Sequence, residues 1–167
     1  MPDSIIKSKP LSAEQVSQAY PLIQTFYPGL SLDVWAEYAM ALTDNPGAAE
    51  AGAGDEAGSG IMTAQNTQGH ILGLAAYRLL HELRCMPNFE IENFIAPNMP
   101  GQKRVVRNLI KTLQALAQEH GSSCMSVRVP VAYTRPRARP HPLIQVMEDE
   151  GFQTVAVHMW KPLLDVK

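Results

Sequence analysis

The stretch from 87 to 121, PNFEIENFIAP followed by NMPGQ and KRVVRNLIKTLQALAQEHG, constrains the fold more than any other. Its first piece alternates Phe89, Ile91 and Ile95 with Glu90, Glu92 and Phe94, the period of a strand covered on one face. In its last piece Val105, Val106, Leu109, Ile110, Leu113, Leu116 and Ala117 recur at threes and fours, with Lys103, Arg107, Lys111, Gln114 and Gln118 between them. That spacing predicts an amphipathic helix ending at Gly121. Pro97 and Pro100 break the chain between the two, because proline can continue neither a sheet ladder nor a helix interior. A strand therefore turns sharply into a helix whose first amides point beyond the strand end. Such amides attract anions. Lys103, Arg104 and Arg107 lie in the first two turns, where each exposed cation opposes the helix dipole by roughly 0.3–1 kcal/mol. A bound phosphate would offset that cost; the other reading of these charges is a solvated polar face.

A chain of 167 residues, 46% of them hydrophobic, suits one globular domain over 1–167 with a full core. Fourteen Lys and Arg against sixteen Asp and Glu create no overall field that would recommend nucleic acid or an anionic membrane as partner. Any basic function must be local. The first ten residues lack an apolar signal core, and the most apolar run, ILGLAAYRLL, is short and contains Arg78, so neither export nor a membrane span is expected. Cys85 and Cys124 are the only cysteines, too few for a disulfide framework, which favours a reducing cytoplasm.

In order, the chain predicts a short strand at 4–9, then a helix opening at Ser12 that must break or kink at Pro21. A second helix begins at Ser31 and buries Leu32, Trp35, Ala36, Ala39 and Leu42. Residues 44–60, rich in Gly, Ala and acid, read as a flexible loop. Strands at 61–65 and 70–80 are joined by a turn at 66–69, and 81–86 lead into the strand of the opening stretch. After the amphipathic helix come a strand at 123–129, parallel to that one by the crossover rule, an irregular Pro/Arg segment at 130–141, a short helix starting at Pro142 and ending at Gly151, and a last strand at 152–161. The result is an α/β fold with a mixed, mostly antiparallel sheet and flanking helices.

This order, with EIENFIAP and its helix, then MEDEGF, then HMWKPL, resembles the GNAT superfamily of acyl-CoA N-acyltransferases. The resemblance implies acetyl-CoA as co-substrate, no metal, and transfer of an acetyl group to a primary amine of a small molecule or peptide. It implies that the backbone of Phe94, Ile95 and Ala96 pairs with the pantetheine arm like an added strand, splayed from the strand at 126–129. The pyrophosphate would meet Gly101, Gln102, Lys103, Arg104, Val105 and Val106. Here the chain departs from the family's Arg/Gln and glycine-rich turn, retaining only Gly101 and placing Lys103, Arg104 and Val105 where small residues are usual. The family's tyrosine, four residues before the Gly of Gly-Phe, is Met147. Members of this family often pair as homodimers.

Glu92 is the candidate general base, since a carboxylate beside the cofactor tunnel accepts a proton from an ammonium substrate; the competing reading is a glutamate satisfied by Asn93, Tyr77 or Arg78. Tyr133 is the candidate substitute for the missing acid. Trp35 and Tyr38 line the substrate side or belong to the helix core. The spacings His81 to Cys85 and His120 to Cys124 repeat an H-x-x-x-C pattern that could pair ligands for zinc, but the spacing is unusual and five histidines and two cysteines make such a coincidence easy. Arg135, Arg137 and Arg139 offer phosphate contacts or a solvated loop. A module that keeps the fold and has lost catalysis is the alternative to an enzyme.

Overall fold

The computed structural model describes residues 5–43, 58–129 and 141–154. Tyr133, Arg135, Arg137, Arg139, nearly all of the expected 44–60 loop and the expected final strand beyond Thr154 lie outside them; Gly60 already belongs to a strand.

The elements run β1 (Lys7–Pro10), a 3-10 turn (Ala13–Gln15), α1 (Val16–Phe26), α2 (Leu32–Thr43), β2 (Gly60–Gln65), β3 (Ile71–Glu82), β4 (Cys85–Ile95), α3 (Gln102–Glu119), β5 (Cys124–Val127) and α4 (Pro142–Asp149). Among the described residues the strands form one sheet in the order β1-β2-β3-β4-β5, antiparallel except for β4 and β5. Pro21 sits inside α1 without ending it, and one turn on the Thr25 hydroxyl donates to the Pro21 carbonyl at 3.0 Å.

The sheet separates two cores. On one face α3 and α4 cover Met62, Ala64, Ala75, Phe89, Ile91, Phe94 and Ala96; on the other α1 and α2 cover Ile61, Leu74, Ala76 and Ile95. The stripe of α3 is buried as its periodicity predicts, with Val106, Leu109, Ile110 and Leu113 fully enclosed, each such side chain contributing about 1.5–3 kcal/mol of transfer free energy before entropy is subtracted. Gly73 lets this helix come close: a Cβ there would lie 2.8 Å from Val105 Cγ1 and 3.0 Å from the Ile95 carbonyl oxygen. On the opposite face Trp35 Nε1 donates to the Val16 carbonyl at 2.7 Å, fastening α2 to α1.

Both later helices stop at a left-handed glycine. Gly121 has φ of 71° and Gly151 of 89°, and the next residue's amide reaches back five positions, Ser122 to Ala117 and Phe152 to Met147, each at 2.9 Å. This geometry caps orphan carbonyls and needs a residue without a Cβ. It explains the Gly-Phe pair physically: Phe152 packs against the core that holds Met147.

Two sequence expectations are corrected. Phe94 does not share a face with Glu90; it joins Phe89 and Ile91 under α3, while Ile95 crosses to the α1 and α2 side. The cause is a bulge: Tyr77 pairs with Ile91 and Ala76 with Asn93, leaving Glu92 as the extra residue, and one extra residue reverses the alternation beyond it. Nor are Cys85 and Cys124 the unbonded pair implied by reading two cysteines as too few for a disulfide framework. They are bonded to each other, and no group of three or more metal-binding side chains exists among the described residues.

Candidate active site at a forked sheet edge

β4 and β5 pair only from Asn88 with Cys124 to Ile91 with Val127, closed by the Arg128 amide donating to the Ile91 carbonyl at 2.9 Å. The fork therefore opens at least two residues later than the 126–129 strand suggested, since Ser126 and Val127 are still in the ladder. Beyond it Phe94 and Ile95 remain paired with β3 on one edge, and no strand occupies the other among the described residues. Their side chains and that of Ala96 are buried, so what they offer the fork is backbone. An extended acyl-arm amide is the kind of group such an edge accepts.

The turn into α3 is held from within. Gln102 is buried, and its Nε2 donates to the Ala96 carbonyl at 2.7 Å, so this side chain closes the corner and does not face a ligand. Gly101 stands at the helix N-cap with φ of 88°. Left-handed followed by helical backbone gathers successive amides into a concave donor set. Two of these amides are engaged, Gln102 with the Met99 carbonyl at 3.0 Å and Arg104 with that of Gly101 at 2.9 Å. The amides of Gly101 and Lys103 have no acceptor among the described residues. Val105 and Val106 are core side chains, and the Val105 amide bonds the Gly101 carbonyl at 3.3 Å.

Two of the cations near the helix start, Lys103 and Arg107, are turned toward α4. Lys103 Nζ donates to Gln145 Oε1 at 2.9 Å, and Arg107 lies 3.3 Å from Asp149 and 3.5 Å from Glu150. These exposed pairs fasten two helices together and contribute little individually, about 0.2–1 kcal/mol.

Glu92, lifted out of register by the bulge, meets α2. Its side chain is 17% exposed, with Oε1 3.1 Å from Arg78 Nε and Oε2 accepting from the Tyr38 hydroxyl at 3.3 Å. Tyr38 accepts in turn from Asn93 Nδ2 at 2.9 Å, and Asn93 Oδ1 from the Tyr27 hydroxyl at 3.0 Å. Every donor in this chain points toward the carboxylate. Burial, with the adjacent Glu92 charge, pushes the Tyr38 hydroxyl up to about 12 despite the opposing Asn93 bond, and burial also raises Tyr27. Both stay protonated at neutral pH. Arg78 is one of the partners foreseen for Glu92; Tyr77 instead stacks on Phe89 at 4.9 Å between ring centres. A carboxylate has about four lone-pair directions, so two partners leave it able to accept from a third group. Tyr27 was missed by the sequence reading. Its signal was indirect: two adjacent polar residues, Glu92 and Asn93, interrupt an alternating strand and mark the bulge on which the network converges.

A sheet with five strands among the described residues, forked at β4 and β5, with a strand running through a sharp turn into α3, is the arrangement of the acyl-CoA N-acyltransferase fold. Solved structures carry the same fold along nearly their whole length. The aminoglycoside N-acetyltransferase AAC(6')-Iy in complex with CoA is similar with a TM-score of 0.64 at 17% identity, over 98% of this chain and 99% of that one. The aminoglycoside 6'-N-acetyltransferase AAC(6')-Ih from Acinetobacter baumannii gives 0.69 at 13%, over 95% and 99%, and a transcriptional regulator from Bacillus halodurans C-125 gives 0.69 at 12%, over 95% and 100%. No family model and no curated protein matches the chain. The chain thus has the fold of the GNAT acetyltransferases.

Proposed function

We propose that the protein, as one domain over residues 1–167, is an N-acetyltransferase that uses acetyl-CoA to acylate a primary amine of a small molecule or peptide. The observation that carries this reading is the juxtaposition at the fork: a strand edge at 92–96 that no strand among the described residues occupies, a carboxylate on its bulge, and a glycine-capped helix start just beyond. Acetyl-CoA would supply an activated acyl thioester. The edge at Phe94, Ile95 and Ala96 would receive its pantetheine arm, and the amides of Gly101 and Lys103 its pyrophosphate, with the Lys103 and Arg104 side chains adding charge. Glu92 would take the proton of the acceptor ammonium, held by Arg78 and Tyr38 with lone pairs left over for a third group. Tyr133 keeps the role of acid to the departing thiolate, without metal.

The cytoplasm as compartment and a homodimer as assembly belong to the same proposal, with neither nucleic acid nor membrane as partner. No helix among the described residues is long and apolar enough to cross a membrane. A second reading, a non-catalytic module of this fold, is favoured by Met147 at the place of the family's tyrosine and by the engagement of Lys103 and Arg107 with α4.

Calorimetry with acetyl-CoA, followed by thiol release across a panel of amines, tests the proposal. Saturable binding and amine-dependent thiol release are expected, with Glu92→Gln binding acetyl-CoA unchanged and turning over about 10²-fold more slowly, the usual scale for losing a general base. Absence of acetyl-CoA binding would refute the cofactor assignment. Binding without thiol release from any amine would leave the module reading standing.

A further inference from the structure

The closed end of the fork is covalently tied. Cys85, at the start of β4, and Cys124, at the start of β5, are 39 positions apart in sequence and bonded, with their Cα atoms 6.3 Å apart. The Cα spacing lies within the range in which this bridge forms without moving the backbone. β5 is a strand with much to gain from a tie. It has four residues, each only half-buried, and among the described residues it pairs with β4 along one edge and with nothing on the other. Beyond the ladder its further holds on β4 are the Asn88 Nδ2 bond to Ser126 Oγ at 2.9 Å and the ion pair of Arg128, which follows it, with Glu90.

Cys85 and Cys124 are both half-buried, so neither end of the bridge is sealed inside the core. The chain has no third cysteine, which leaves no internal competitor for exchange. Reactivity in such exchange is set by access and by the attacking thiolate.

We infer that Cys85 and Cys124 form a thiol–disulfide exchange site for low-molecular-weight thiols of the glutathione class, and that its redox state sets how firmly β5 closes the fork. A thiolate of the small thiol attacks one cysteine sulfur, forming a mixed disulfide and expelling the other cysteine as a thiolate that takes a proton. A second small thiolate attacks the mixed disulfide at the small thiol's sulfur. It releases the second cysteine thiolate, which also takes a proton, and the two small thiols depart as their disulfide. Two electrons pass from the small thiols to the protein, and the oxidised small disulfide runs the sequence backwards. Among the described residues, reduction leaves β5 with its short ladder, the two polar contacts and the packing of Met125 and Val127 on the α3-side core. The effect on the open end rests on the cofactor reading above: a loosened β5 holds the two arms of the fork less firmly, and acetyl-CoA binds more weakly.

The full chain is equilibrated with glutathione at stepped ratios of reduced to oxidised form, and free thiols are tagged with a maleimide and weighed. Zero or two tags per molecule, switching with the ratio, is expected. Hydrogen exchange of the peptide over 124–129 should then be at least tenfold faster in the reduced protein, and Cys85→Ser with Cys124→Ser should match the reduced rate and ignore glutathione. Two free thiols at every ratio, or equal β5 exchange in both states, would overturn the inference. Acetyl-CoA titration of both forms separates the two layers. Weaker binding to the reduced form supports the coupling, and equal affinity refutes it. If neither form binds, the cofactor assignment fails, while tagging and exchange still decide whether the staple exists.

Discussion

Gly73→Ala, combined with Val105→Ala, tests whether the sheet and the first turn of α3 are packed as one unit. The added Cβ would stand 2.8 Å from Val105 Cγ1 and 3.0 Å from the Ile95 carbonyl. Neither obstacle yields easily, because a valine in a helix has essentially one rotamer and the carbonyl belongs to the ladder. Overpacking of this kind costs about 1–3 kcal/mol, and the lower chain entropy of alanine in the unfolded state returns about 0.4–1 kcal/mol. A net loss of about 1–2 kcal/mol is expected, which for a chain this long lowers the melting temperature by about 2–4 °C per kcal/mol. Val105→Ala alone removes two buried methyl groups, about 0.8 kcal/mol each before any cavity term. Together the changes should be far from additive, because the second removes the atom that the first strikes. Urea unfolding of the four proteins gives the coupling directly, with about 1 kcal/mol or more expected. Agreement with additivity within about 0.5 kcal/mol would show that Val105 does not press on β3, and the rigid seat of the helix start would be lost with it.

Gln102→Glu replaces the buried donor to the Ala96 carbonyl with a carboxylate that can donate only when protonated; the orphaned acceptor alone costs about 1–3 kcal/mol. The carboxyl would have a folded pKa above its unfolded value, so the loss measured by urea unfolding at neutral pH should shrink as the pH falls toward 4, and a pH-independent loss would refute this account. Tyr38, raised to about 12 from an ordinary 10.0, holds its proton more tightly folded than unfolded. Its contribution to stability is complete below pH 10 and declines as the pH rises toward 12, because the unfolded chain then binds fewer protons. Tyr38→Phe should flatten that decline without abolishing it, since Tyr27 and Tyr77 are raised in the same direction; an unchanged profile in melts across this range would remove Tyr38 as its source.

Periodicity carried most of the architecture. The 3.6-residue stripe of α3, the turn at 66–69 between β2 and β3, and the Gly at the end of α4 are all local signals, and each lies where the residues placed it. What failed was what depends on a neighbouring chain segment. Whether Lys103 and Arg107 face a ligand or α4 is decided by Gln145, Asp149 and Glu150, some forty positions away. The Cys85 and Cys124 pairing depends likewise on two strand starts being adjacent in the sheet. Counting two cysteines cannot reveal that. The role of Gln102 was open for the same reason: only the folded corner shows that its amide turns inward to Ala96.

The bulge and the fork are consequences of one another. Glu92 is the unpaired residue on the β3 side of β4, and Ile91 is the last residue paired with β5 on the other side. Had the alternation continued unbroken, Asn93 would have followed Phe89 and Ile91 beneath α3, burying an amide in an apolar core. The inserted residue sends Phe94 and Ala96 there instead and turns Asn93 toward Tyr38 and Tyr27. A bulge also increases the local twist and bend of the strand that carries it. β4 therefore bends at the place where it must leave β5 and enter the turn to α3. The same single residue supplies the carboxylate, and it stands beside the unpaired backbone because the irregularity that exposes the one is the irregularity that places the other.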